Sequence, residues 1–272
     1  MSFMTTGNLF FNLLIGGSMQ QLWGMIRALQ MIVLSALMNV NYPPHTVIFF
    51  KTCMIFAQMD IINGEGMYEE YMTFKETPPI NAKFEMYGLE NMTFFLNSGS
   101  YLILQLFIFV FVAIEFSLNW VATKCYRWSL FRRLGIWAYS DDYKKSMLIG
   151  TAKLFMESYF DLAMCTCMNT LAVYRSKDSA DFMENLHGRD NILNFVICAI
   201  CVVWIFYFPI FVYNIIRRNY NNLDRREIKR EYKIYYEDLR TENFHSANYN
   251  TYFLIRRFIT VYVLVFMTRP IF

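Results

Sequence analysis

Lys153, Glu157 and Asp161 recur every fourth residue in an otherwise apolar stretch. Four residues turn a helix about 40° beyond one full turn, so the three side chains share a narrow stripe. Each charge at the centre of a bilayer costs about 2.5 to 3.5 kcal/mol on insertion scales, so the stripe must face protein, a partner or water rather than lipid. Two kinds of chemistry fit. The carboxylates of Glu157 and Asp161 suit an ion or proton pathway or a gating switch, with Lys153 and Arg27 as charge partners. Alternatively the stripe is a buried lock, in which Lys153 pairs with Glu157 while Asp161 meets Arg27 or another helix. Glu115 interrupts a second apolar run near its inner end, where a solvated or paired structural role is expected.

Other reactive residue types form no recognisable catalytic set. Of the six cysteines, Cys165 and Cys167, and Cys198 and Cys201, fall in apolar runs where cysteine serves as a small apolar residue. Two ligands three apart do not make a structural zinc site. Cys125, beside a cytoplasmic membrane exit, is a candidate for palmitoylation against the plainer reading of an inert thiol. The histidines His45, His187 and His245 are scattered over different connectors. The chain has no HExxH, no phosphate-binding glycine loop and no GxSxG elbow. We therefore expect no enzyme, no metal and no cofactor.

These residues must be positioned by helices in lipid. The chain has 272 residues, of which 56% are hydrophobic, 19% aromatic and only 17% charged. Globular proteins carry roughly a quarter charged residues. Apolar runs separated by charged connectors indicate an all-α, polytopic transmembrane bundle with five or six membrane segments. The net charge of +3 is too small to imply nucleic acid. The clearest spans are Gly99 to Val121 and Ile192 to Ile216, each long enough at about 1.5 Å per residue to cross a hydrocarbon core of roughly 30 Å. Pro209 is expected to kink the second. Ser146 to Tyr174 carries the charged stripe and is read as a membrane helix facing protein. Tyr252 to Met267 is a final span in which Arg256 and Arg257 are placed to snorkel to the headgroups.

Before these lie Ser18 to Val40, which contains Arg27, and His45 to Ile62, separated by Pro43 and Pro44. If the second of these does not cross, the amino terminus is cytoplasmic and there are five spans; if it crosses, there are six. Residues 18–62 thus form N-terminal membrane segments, 99–216 a three-span core and 252–267 the last span of one membrane domain. Orientation follows from the excess of Lys and Arg in cytoplasmic loops. Lys124, Arg127, Arg132, Arg133, Lys144 and Lys145 mark one cytoplasmic connector, and Arg217 to Arg240 mark the other. The acid-rich stretches 63–98 and 175–190 fall on the outer side. Asn91-Met92-Thr93 in the first of these is a sequon, which makes Asn91 a candidate glycosylation site.

The 217–250 connector has helix-like spacing at Leu223, Ile228, Tyr232, Tyr235 and Leu239, and is expected to form a cytoplasmic amphipathic helix. Its eight basic residues are offset by Asp224, Glu227, Glu231, Glu237, Asp238 and Glu242, leaving a net of two (eight minus six). A solvated helix with local ion pairs such as Glu227 with Arg230 is the simpler reading, and a lipid or calmodulin-like contact the sharper one.

The segments QLWGMIRALQMIVLSAL and NYPPHTVIFF, then FEMYGLENMTFFLNSGSYLILQ, LFMESYFDLAMC and FHSANYNTYFLIRRFITVYVLVF, in that order, resemble the transmembrane region of large ciliate surface proteins described as transient-receptor-potential-like, which often carry cysteine-rich ectodomains. The resemblance covers most of the chain. It implies an α-helical membrane bundle with channel, receptor or lipid-linked transport roles. The chain lacks such an ectodomain, and lacks room after the Arg256-Arg257 span for a further pore helix, selectivity loop and closing span, so it is expected to be a fragment or shortened paralogue. We accordingly expect a multi-pass plasma-membrane protein, either the membrane portion of a channel-like or sensory surface protein or a nonconducting scaffold or anchor. Its partners would be the lipid bilayer and either further copies of itself or other membrane subunits.

Overall fold

A computed structural model of the chain describes residues 25, 28–33, 36–38, 40–57, 68, 70–74, 77–98, 101–124, 142–175, 188–236 and 239–267. Every regular element among them is helical, and the described residues contain no strand. Helix α1 spans Pro44–Ala57 and starts on a proline, whose missing N–H costs nothing in the first turn. Two short helices follow, α2 (Ala82–Met86) and α3 (Phe94–Asn97). Three long ones come next: α4 (Tyr101–Lys124), α5 (Asp142–Arg175) and α6 (Arg189–Asn219). The chain then passes through α7 (Arg226–Tyr232) and α8 (Phe244–Ala247) into α9 (Tyr249–Tyr262), which ends in a π-helical turn, Val263–Met267.

Helix α5 is the axis of the packing and touches α3, α4, α6 and α9. Its 34 residues make a rod of about 50 Å. The face it buries includes Phe155, Tyr159, Leu162, Ala163 and Met168. Around it the more apolar helices turn large side chains outward: Leu106, Phe107, Val110 and Ile114 on α4, Val196, Ile200, Val203 and Phe206 on α6, and Ile255, Ile259 and Tyr262 on α9. The most polar long helix is therefore the sheltered one.

By length and composition, two helical stretches suffice to cross a membrane, Arg189–Asn222 and Tyr249–Met267, with Tyr101–Val110 a shorter apolar stretch. On that criterion the five or six crossings expected from the sequence are matched by two among the described residues.

The described residues of the acid-rich 63–98 stretch fold onto one end of this core. The backbone N–H of Thr73 donates to the Asp190 carboxylate at 3.1 Å, at the start of α6, and the Arg175 guanidinium at the end of α5 reaches the Ile80 carbonyl at 3.4 Å. The buried Asn194 side chain accepts from Phe95 N–H at 3.2 Å and donates to Asn169 Oδ1 at 3.1 Å, which ties α3, α5 and α6 together. Although α2 is only 5 residues long, both of its ends are closed. The Asn81 side chain accepts from the N–H groups of Lys83 and Phe84. At the other end Gly88, with φ of 85°, lets Gly88 N–H reach Glu85 O and Leu89 N–H reach Phe84 O, a Schellman closure that leaves Leu89 and Phe84 both buried. A Cβ on Gly88 would meet nothing within 4 Å, so Gly88→Ala isolates the backbone term. It should destabilise the folded protein by about 1 to 2 kcal/mol in a detergent unfolding titration, with Gly88→Asn recovering part of the loss.

The 217–250 connector differs from the single amphipathic helix read from its spacing. It breaks into a 3₁₀ turn at Tyr220–Asn222, the 7-residue α7, a second 3₁₀ turn at Lys233–Tyr235 and the 4-residue α8. The cause is tertiary. Tyr235 is buried with its ring centroid 6.4 Å from that of Phe208 and 6.1 Å from that of Phe211 on α6. Its carbonyl accepts from the Asn250 side chain at 2.9 Å, and the Tyr236 hydroxyl donates to Leu223 O at 2.9 Å. Burial pushes the Tyr235 phenol up to about 12.

Candidate functional site

The stripe Lys153, Glu157 and Asp161 lies in the middle of α5 and faces protein. Glu157 is buried, and Lys153 and Asp161 are half-buried. The partner of Asp161 is Gln30, in the helical stretch 28–33: Gln30 Nε2 donates to Asp161 Oδ2 at 3.0 Å. Gln30 is itself 0% exposed, and its Oε1 accepts from the Arg257 guanidinium at 3.0 Å. One amide thus links a carboxylate on α5 to a cation on α9, using both of its polar ends in the sense each charge requires.

Arg257 was expected to snorkel beside Arg256. Only Arg256 is exposed; Arg257 is 0% exposed. Helical phase explains the difference. Thr251, Leu254, Arg257 and Val261 form the buried face of α9, while Arg256 lies one residue, about 100°, around the helix. The Arg257 guanidinium stands over the Phe253 ring at 4.4 Å and nearer its rim of reach over Phe160 at 6.0 Å, so aromatic faces replace part of its lost hydration.

Beside this network is a cavity of about 30 Å³, lined by Gln30, Asp161, Asn97 and Cys165 together with apolar groups from Phe160 and Met164. One or two water molecules fit such a space. The Cys165 thiol donates to Asn97 O at 2.8 Å. The neighbouring Cys198 sulfur lies 3.9 Å from Thr166 O, so the two cysteine pairs that the sequence placed on separate helices meet where α5 packs on α6. All are free thiols. No group of three or more His, Cys, Asp or Glu among the described residues is arranged to hold a metal ion.

The remaining candidates are dispersed. Arg27 and Cys125 lie outside the described residues, and Glu115 lies on α4 with its side chain outside the described ones. Asn91 sits in a turn where its Oδ1 accepts from Thr93 N–H at 2.9 Å and from the Thr93 hydroxyl at 2.8 Å, and also from the Thr77 hydroxyl. Sequence reasoning missed Gln30 and Arg257. The available signal was phase, since Leu254, Arg257, Val261 and Leu264 follow one another at three- and four-residue steps among apolar neighbours. Compared with known proteins, the chain matches no protein family, no curated protein and no solved structure.

Proposed function

We propose that the chain is the membrane portion of a channel-like or sensory surface protein of the plasma membrane, crossing the bilayer five or six times in the manner of the transient-receptor-potential-like proteins it resembles. The observation that carries this reading is the apolar exterior of the bundle, set against a few polar groups within its apolar core. Asp161, Gln30, Arg257 and Glu157 are gathered inside, while α4, α6 and α9 turn Leu, Ile, Val and Phe outward. A protein dissolved in water would be expected to cover such an apolar exterior, and lipid tails suit it. In this reading Glu157 and Asp161 are the groups facing an ion or driving a gating change, with Lys153 and Arg257 setting their charge balance.

The closed form of the network favours a second reading, a nonconducting scaffold or anchor. Gln30 joins both charges directly, and the cavity of about 30 Å³ beside it is far short of a polar path across a core of roughly 30 Å. Reconstitution of the full chain in lipid vesicles, with Glu157→Gln and Asp161→Asn variants, separates the two. The channel-like reading expects altered conductance or gating from protein that still inserts and folds. Loss of folding or assembly with no current from any form, native included, selects the scaffold. Glycosylation mapping of 63–98 tests its outer placement.

A further inference from the structure

Helix α6 runs through Pro209 without interruption. A proline inside a helix has no N–H to give to the carbonyl four residues earlier, which here is that of Ile205, and its ring presses on that carbonyl. Ile205 is buried, as are Phe208, Pro209 and Val212, so water does not satisfy the freed oxygen from outside. The Tyr159 hydroxyl of α5 does: it donates to Ile205 O at 3.1 Å. Tyr159 is buried too, and it stands on the central helix between Glu157 and Asp161. A second tyrosine contacts the same stretch of α6. Tyr235, in the connector that follows α6, sets its ring against Phe208, just before Pro209, and Phe211, two residues after it.

We propose that α6 is a hinge at Pro209, held in its present position by the Tyr159 hydroxyl and moved by the connector acting through Tyr235. A helix lacking one backbone bond bends there at lower cost than elsewhere. The segment after Pro209 leads directly into the connector, which folds back onto the hinge itself. Displacement of the connector, by a ligand, a partner or a change in the headgroup region, therefore pulls on Phe208 and Phe211 and competes with the Tyr159 bond. The hinge rests on the packing of α5, α6 and the connector and holds whether or not the bundle conducts.

The latch is tested by a double-mutant cycle on the full chain in detergent micelles. Tyr159→Phe keeps the ring and removes only the hydroxyl, so the unfolding equilibrium should shift about five-fold toward the unfolded form, the counterpart of a hydrogen bond of about 1 kcal/mol. In a Pro209→Ala background the restored N–H can satisfy Ile205 O, and the same change should shift the equilibrium by less than about two-fold. An equal shift in both backgrounds overturns the latch. The lever is tested by hydrogen exchange with Tyr235→Leu, protection retained at residues 226–236 serving as the control that the connector stays folded. Faster exchange at the amides of residues 206–213, abolished by Pro209→Ala, is the expected result. Exchange changes confined to residues 226–239, or equally large at 206–213 with and without Pro209, overturn it.

Discussion

Arg257→Leu, with Asp161 left in place, is expected to destabilise the bundle by about 2 to 3 kcal/mol, the cost of leaving the buried Gln30 amide oxygen without its charged donor. The geometry sets the size. Arg257 is 0% exposed, its guanidinium donates to Gln30 Oε1 at 3.0 Å, and Gln30 in turn donates to Asp161 Oδ2 at 3.0 Å. Removal of the cation leaves the carboxylate facing an amide and a cavity of about 30 Å³, and it also deprives the Phe253 and Phe160 rings of the charge above them. Asp161→Asn alone strands the arginine instead and should cost a similar amount. The two changes made together remove both charges; the new asparagine can still accept from Gln30 Nε2 but the leucine offers Gln30 Oε1 no donor, so the double variant should recover part of the summed loss. Arg257→Lys should not rescue, because an ammonium lacks the planar fork that bonds Gln30 while stacking on Phe253. Unfolding titrations in mixed micelles measure all four proteins. Strictly additive losses would show that Asp161 and Arg257 do not act on one another.

The partners in that network show where sequence reading stops. The long helices were legible because apolar runs of adequate length report their own positions: Gly99 to Val121 became Tyr101–Lys124, Ser146 to Tyr174 became Asp142–Arg175, and Ile192 to Ile216 became Arg189–Asn219. The inward direction expected for the Lys153, Glu157 and Asp161 stripe agrees with the burial of its members. What a stripe meets is a different question. Gln30 and Asp161 are 131 residues apart, and Arg257 and Gln30 are 227 apart, and spacing within one helix carries no record of such pairings. Arg257 was misread for a related reason. Two adjacent arginines near a membrane boundary suggest a common fate, yet helical phase sends neighbours to different faces. In the connector the spacing of Leu223, Ile228, Tyr232, Tyr235 and Leu239 was real, but a long-range contact outweighed it. Tyr235 lies against Phe208 and Phe211 from a 3₁₀ turn that follows α7 and does not continue it.

Phe155→Ala is the second change expected to have a large effect, at about 3 kcal/mol in the same titration. The Phe155 ring lies at the meeting point of three helices. Its centroid is 4.6 Å from Phe208 and 5.9 Å from Trp204 on α6, 5.9 Å from Tyr159 on α5 itself, and 6.4 Å from Tyr101 on α4. All four pairs set a ring edge against a ring face, at interplanar angles from 64° to 77°, arrangements favourable beyond the area they bury. The figure stands at the lower end of the range for water-soluble cores because, on the proposed membrane reading, leaving the bundle does not return Phe155 to water and the loss is one of packing and ring contacts. That distinction gives the experiment a second use. Phe155→Leu keeps apolar volume but loses the ring geometry, so in a lipid-embedded bundle it should cost a large fraction of what alanine costs. A core sealed against water would instead reward the retained apolar volume and forgive most of the change. A leucine variant nearly as stable as the native protein would therefore argue that burial from water, and not the fit of rings between helices, holds α4 and α6 to the central helix.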